Sequence, residues 1–190
     1  ILFFPFIFFQ FYQVKYIFLY LAMHKFYLNL VLLVACLSMY AQENLQQVAA
    51  SSTLDQWHRA ASAADFDSYF KLMTEDAVFI GTDATENWNV QQFKLYAKPH
   101  FDAGRAWSFT TIERNIYVSN NSAKLAWFDE LLSTQMGVCR GSGIVQKVDG
   151  KWKVKHYVLS IAVPNENVAA LTALKKQWDT NYIKSISNKF

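Results

Sequence analysis

The chain has 190 residues, 53% of them hydrophobic, with 18 Lys and Arg against 15 Asp and Glu. That length suits one domain with a sizeable core. The charges nearly balance and are interspersed, which argues against a nucleic-acid binder, since such a protein needs a basic face to neutralise phosphates.

The hydrophobic residues are unevenly spread. Residues 1–41 hold no acid, and their only Lys or Arg residues are Lys15 and Lys25. The remainder carries 16 basic and 15 acidic residues, about +1, with the mixed composition of a soluble domain. From Met23, the first methionine, the chain reads as an export signal. His24 and Lys25 make a basic start, Phe26 to Leu37 the apolar stretch, and Ser38-Met39-Tyr40-Ala41 the small-residue boundary before Gln42. The stretch is short for a membrane span. Residues 1–22 then read as non-native or untranslated upstream sequence, residues 23–41 as a signal peptide, and the product as periplasmic or secreted, without stable membrane insertion after cleavage. A membrane anchor over residues 1–22 is the competing reading, weakened by Gln10, Gln13 and Lys15. Cys36 closes a Leu33-Val34-Ala35-Cys36 string similar to a lipoprotein box, an alternative address. Cleavage after Ala41 leaves Cys139 as a lone thiol, with no internal disulfide.

Leu54, Trp57, His58 and Ala61 follow a helical stripe and predict a helix over about 44–63. Asp65 is placed to cap a second helix with Phe66, Tyr69, Phe70 and Met73 on its apolar face. Residues 77–80 read as a short buried strand ended by Gly81. A third helix is expected from a cap near Asn87 to a stop at Pro99. From Ala106 the period becomes two: strands over 107–118, 123–134 and 137–147, with a Ser-Asn-Asn-Ser turn at 119–122. Asp149-Gly150 is the strongest hairpin signal in the chain. The next strand carries Trp152 to Ser160 and ends before Pro164. Asn165 is placed to cap a last helix with Val168, Leu171, Leu174 and Trp178. Helices grouped ahead of a meander of strands predict an α+β fold.

This order, with the strings LDQWHRAASAADFDSYFKLMTEDAVFIGTD (54–83), AWFDE (126–130), RGSGIVQK (140–147) and GKWKVKHYVLS (150–160), resembles the SnoaL-like (nuclear transport factor 2-like) superfamily over roughly residues 50–164. The resemblance implies a strongly curved antiparallel meander wrapped around N-terminal helices, cone-like with an internal pocket, plus a C-terminal helix. The domain is then expected over 42–164, with helix and tail over 165–190. Members similar to this chain include isomerases, cyclases, dehydratases, hydrolases and ligand binders, so the fold implies no single activity.

Strand alternation supplies candidate residues. On the last strand Trp152, Val154, His156, Val158 and Ser160 share a face that is apolar at its start, which predicts His156 and Ser160 inside. The preceding strands offer Val138, Arg140, Ser142 and Ile144, and Leu125, Trp127, Asp129 and Leu131. Asp129, Arg140 and His156 are thus expected to meet in one interior. His156 beside Asp129 has general acid–base chemistry available; the alternative is a buried histidine satisfied by a hydrogen bond. Asp129 with Arg140 reads as a substrate clamp or as a structural ion pair. Asp83 and Glu86 fit either the pocket rim or turn and cap roles. Trp88, Trp107 and Trp127 flank the expected cavity and could line it. His58 reads as core packing, and Arg114 as a residue of an exposed strand face. Gly141-Ser142-Gly143 lacks the first glycine of a nucleophile elbow. The histidines are too scattered for a metal motif, and no cofactor is implied.

Three functions follow. One is a binder of a small, largely apolar molecule with one polar or anionic group held by Arg140, Ser142 and Ser160. The second is an acid–base enzyme of isomerase, cyclase or dehydratase type using His156 with Asp129 or Asp83. The third is a protein-interaction domain. A homodimer through the outer sheet face, presenting Tyr157 and Leu159, is also expected.

Overall fold

Leu54, Trp57 and Ala61 fall on one helical face and all three are buried, the pattern that ties the end of α1 (Phe4–Ser62) to the sheet. In this computed structural model the described backbone comprises residues 4–119, 122 and 124–187, and the side chains of 1–20, 22, 39, 40 and 43 are not described. The expected turn at 119–122 falls partly outside the described residues, at Asn120 and Asn121. The chain forms two units, residues 1–48 and 49–190. In the first, the backbone is helical from Phe4. Among the described residues no helix is long and apolar enough to cross a membrane. Everything below concerns the second unit.

Asp65 caps α2 (Phe66–Lys71) as expected, its Oδ1 accepting the Ser68 N–H at 3.0 Å. Met73 opens β1 (Met73–Ile80) rather than continuing the α2 face. Asn87–Asn89 forms a short strand, β2, so the cap of α3 (Val90–Asp102) moves to Asn89. There Asn89 Oδ1 accepts the Gln91 and Gln92 N–H groups, and Gln92 Oε1 accepts the Asn89 N–H, a reciprocal capping box. Pro99 does not stop α3 but lies inside its last turns, where buried Ala97 and Phe101 hold the helix to the core.

The meander β3 (Thr110–Val118), β4 (Leu125–Thr134), β5 (Gly137–Val148) and β6 (Lys151–Ile161) is antiparallel throughout. Asp149 and Gly150 turn β5 into β6 with positive φ at both positions, 50° and 77°, as a two-residue hairpin demands. The full sheet is curved, unclosed and mixed, in the order β2-β1-β6-β5-β4-β3, because β1 pairs parallel to β6. Pro164 precedes a 3₁₀ turn over Asn165–Asn167, so Asn165 is not a side-chain cap; α4 (Val168–Ser187) follows with no buried residue.

One bulge decides which residues face the core. The β5–β6 register shifts between Ile144 and Val145, which pair with His156 and Val154, leaving Lys155 as the extra residue. Before the bulge Trp152 and Val154 point inward; after it Tyr157 and Leu159 do. The neighbouring strand β1 is irregular at the same level, between Met73 and Val78, and Lys155 Nζ pairs with Asp76 across the two distortions. The inner set continues on β5 as Cys139, Gly141 and Val145, and on β4 as Ala126, Phe128, Glu130 and Leu132. Against these pack the rings of α1–α3, with Trp57 stacked on Tyr69 at 4.9 Å and Phe79 on Phe93 at 4.0 Å.

Candidate functional site

The bulge reverses the face expected for His156 and Ser160, and the candidates on β4 and β5 also lie on the face opposite to the one expected. Asp129, Arg140 and His156 do share one face, but it is the outer one. Asp129 pairs with Ser142, Arg140 with both Leu131 and Ser160, and Ile144 with both Trp127 and His156. Arg140 and Ser160 are exposed, Ser142, Asp129 and His156 half-buried. Asp129 Oδ1 accepts a 3.2 Å hydrogen bond from Asn115 Nδ2 instead of meeting Arg140 or His156. Trp127, 52% exposed, stacks on Tyr117 at 5.7 Å on this outer surface and is not among the residues that line the aromatic cleft described below. Tyr157 and Leu159, expected outside, are buried.

The interior polar cluster is a different set. Glu130 projects inward from β4 and is 1% exposed. Its Oε1 lies 2.8 Å from His58 Nε2 and accepts the Tyr157 hydroxyl at 3.0 Å. Its Oε2 accepts Arg114 Nε at 2.8 Å, with Arg114 Nη2 also at 2.8 Å. Arg114, expected on an exposed face, spends its remaining donors on the Ser51 carbonyl and hydroxyl at 3.1 Å, Asp55 Oδ1 at 2.6 Å and Thr111 Oγ1 at 2.9 Å. Burial by itself pushes the Glu130 carboxyl up. The His58 hydrogen bond and charge, with the Arg114 guanidinium, more than offset this and hold it below its ordinary value. Burial, and then the Glu130 charge, push the Tyr157 phenol well above its usual range. Ser51, Asp55 and His58 sit at i, i+4 and i+7 on α1, a polar stripe beside the apolar one that could have flagged the cluster.

Two glycines of β5 leave room that a side chain would fill, Gly141 beside the cluster and Gly143 against the β6 backbone. A Cβ on Gly141 would lie 2.3 Å from Tyr157 Oη and 3.0 Å from Glu130 Cγ. One on Gly143 would lie 2.1 Å from the His156 carbonyl oxygen and 3.0 Å from Phe128 Cζ. The Gly141-Ser142-Gly143 string is therefore a packing device rather than a nucleophile turn.

The cavity lies beyond this cluster, at the end of the sheet where β1, β2 and α3 meet the start of β3. It offers about 150 Å³ and is lined by Phe79, Trp88, Phe93, Tyr96, Trp107 and Phe109, with Gly81, Thr82, Glu86, Gln135, Met136 and Leu159. Trp88, Trp107 and Glu86 are thus brought together here as lining residues. Trp88 stacks on Tyr96 at 4.4 Å, and Trp107 on Phe93 at 5.6 Å. Asp83 stands apart from the lining: its Oδ1 accepts the Thr85 N–H and hydroxyl at 2.8 and 2.6 Å, which hold its carboxyl below the usual range. It is the cap of the Gly81–Glu86 turn. Phe109, whose ring meets His58 at 5.6 Å, and Phe79, stacked on Tyr157 at 5.6 Å, stand between cavity and polar cluster. Among the described residues no group of His, Cys, Asp or Glu could hold a metal ion.

A family model described as SnoaL-like domain matches residues 50–164. Solved structures of similar fold include an NTF2-like protein of unknown function from Pseudomonas putida KT2440, at TM-score 0.55 and 12% identity, covering 65% of this chain and 92% of that one. A protein of unknown function from Mycobacterium tuberculosis gives 0.55 and 14%, covering 68% and 79%. The association domain of C. elegans CaMKII gives 0.52 and 17%, covering 63% and 98%. The chain matches no curated protein.

Proposed function

The chain belongs to the SnoaL-like domain family, and on that premise we propose that it is a binding module for a small, largely apolar molecule held in the aromatic cleft. The observation that carries this reading is the cleft itself, a concavity of six aromatic rings with a few polar groups at its edge. The anionic-ligand variant loses its support, because Arg140 lies exposed on the outer face. The acid–base reading is likewise weaker, since His156 and Asp129 occupy that outer face and Asp83 caps a turn. A thermal-shift screen with small aromatic and alicyclic probes tests the proposal, because a ligand bound only to the folded state raises its melting temperature by mass action. Met136→Trp, which fills the cleft, abolishes those shifts. Shifts that persist in the filled variant, or none in the wild type, defeat the reading.

Association of two copies through the outer sheet face is a second part of the proposal. Tyr117, Trp127, Val138 and Ile144 are all exposed there, an apolar patch that invites a symmetric partner. Export completes it: residues 23–41 carry the signal pattern, and mass spectrometry of the mature protein is expected to find Gln42 at its N-terminus. A lipid on Cys36, or retention of residue 23, overturns the export route as stated.

A further inference from the structure

We propose that the cleft selects an organic cation, a substituted ammonium or amidinium group on an apolar body; this deepens the binding reading above and rests on it. The lining contains one formally charged side chain, Glu86, and no lysine, arginine or histidine. Among the described residues no cation pairs with that carboxylate. The surrounding wall is made of rings. An aromatic face carries negative quadrupolar charge, so rings and carboxylate attract the same sign of ligand, and a cation beside them gains from both. A carboxylate or phosphate ligand meets repulsion from Glu86 and no compensating donor charge.

The carboxylate is also held in place before any ligand arrives. Glu86 Oε2 accepts the Asp83 N–H at 3.2 Å, while Oε1 has no hydrogen-bond partner among the described residues. The Glu86 side chain folds over Gly81, where a Cβ would lie 2.0 Å from Oε2. A side chain at 81 would displace the carboxylate from this position. The turn is closed by Gly81 N–H to the Glu86 carbonyl at 3.0 Å and Glu86 N–H to the Asp83 carbonyl at 2.9 Å. From α4, the Tyr182 hydroxyl donates to the Ala84 carbonyl at 2.9 Å and pins the same turn. A charge fixed in this way costs less ordering on binding than one on a free side chain. The 150 Å³ of space suits a single small headgroup with its body projecting toward solvent.

The test compares three probes of matched shape on the full chain, read by tryptophan fluorescence and thermal shift: phenyltrimethylammonium, its uncharged carbon isostere tert-butylbenzene, and benzoate. The cation is expected to bind about tenfold more tightly than the isostere, and benzoate least of all. Glu86→Gln, which keeps the contact to Asp83, is expected to lower the affinity for the cation about fivefold and leave tert-butylbenzene unchanged. If tert-butylbenzene binds as tightly as the cation, or Glu86→Gln changes neither, charge selection is overturned while the apolar binding site stands. If none of the three binds, the binding reading itself fails, and this inference with it.

Discussion

The Tyr157 hydroxyl donates to Glu130 Oε1 at 3.0 Å, joining β6 to β4 across β5 in a region sealed from solvent. The bond crosses β5 at Gly141, an inward position where no side chain intervenes. A carboxylate so placed is retained only with full partnership, and Glu130 has it from His58, Tyr157 and Arg114.

Removing that acceptor is therefore expected to be costly. Glu130→Ala leaves Arg114 Nε, His58 Nε2 and the Tyr157 hydroxyl without their shared partner in the interior, and a buried pair broken from one side loses roughly 3–5 kcal/mol. Urea denaturation of the variant against wild type measures it. A loss below about 1 kcal/mol would show that water reaches the cluster and solvates what remains.

The same network fixes a pH dependence. Because the partners hold the folded Glu130 carboxyl below its unfolded value, the folded state binds fewer protons there than the unfolded chain in the acid range. The stabilisation is fully present above the unfolded value, about pH 4.3, and is lost as pH falls through the folded value. Asp65, Asp76 and Asp83 are also lowered and act in the same window, so the wild-type curve alone does not isolate Glu130. Glu130→Gln keeps the shape and removes the titration. The stability difference between wild type and this variant is expected to shrink steadily from pH 6 to pH 3; a constant difference contradicts the assignment.

Much of the fold was legible because local signals agreed with tertiary packing. The Asp65 cap, the Asp149-Gly150 hairpin and the β3–β6 meander follow from turn chemistry and period. The site was harder to read for a specific reason. Strand alternation propagates a face along the chain, and one extra residue reverses it. Trp152 and Val154 do point inward, as their alternation implies, but the bulge at Lys155 sends His156 and Ser160 outward. On β5 the inward set Cys139, Gly141, Gly143 is less apolar than the outward Val138 and Ile144, so hydrophobicity favoured the wrong face. On β4 both faces carry large apolar residues and one acid each, Asp129 and Glu130, and only the partners from α1 and β3 distinguish them. Trp88, Trp107 and Glu86 were readable because they lie outside the bulged strand, in segments that end at the cleft.

The outer-face set offers a contrasting experiment. Arg140→Met, His156→Ala and Asp129→Ala touch no buried network, and each is expected to change stability by less than about 0.5 kcal/mol. Trp127→Glu combined with Ile144→Glu places two charges in the exposed apolar patch and is expected to give a folded monomer by sedimentation velocity. A wild-type monomer, or a double variant that remains dimeric, removes this face as the interface.

The final prediction concerns Gly141, where the fit between β5 and the Tyr157–Glu130 bond can be probed directly. A methyl group at this position comes within 2.3 Å of Tyr157 Oη and 2.9 Å of its Cζ, with Glu130 Cγ at 3.0 Å. The strand is held by β4 and β6 on either side, so the backbone has little freedom to retreat. Tyr157 must swing away and give up its bond to Glu130, and overpacking of this kind typically costs about 1–3 kcal/mol. Tyr157→Phe alone loses one of the two partners of Oε1, at a cost of about 1–2 kcal/mol. In the double variant the closest clash is gone and the lost hydrogen bond is counted only once. The two changes together are thus expected to destabilise by less than the sum of the two alone, with a coupling of about 1 kcal/mol. Additive effects in this double-mutant cycle, measured by urea denaturation, would mean that Gly141 is needed for its backbone and not for the room it leaves Tyr157.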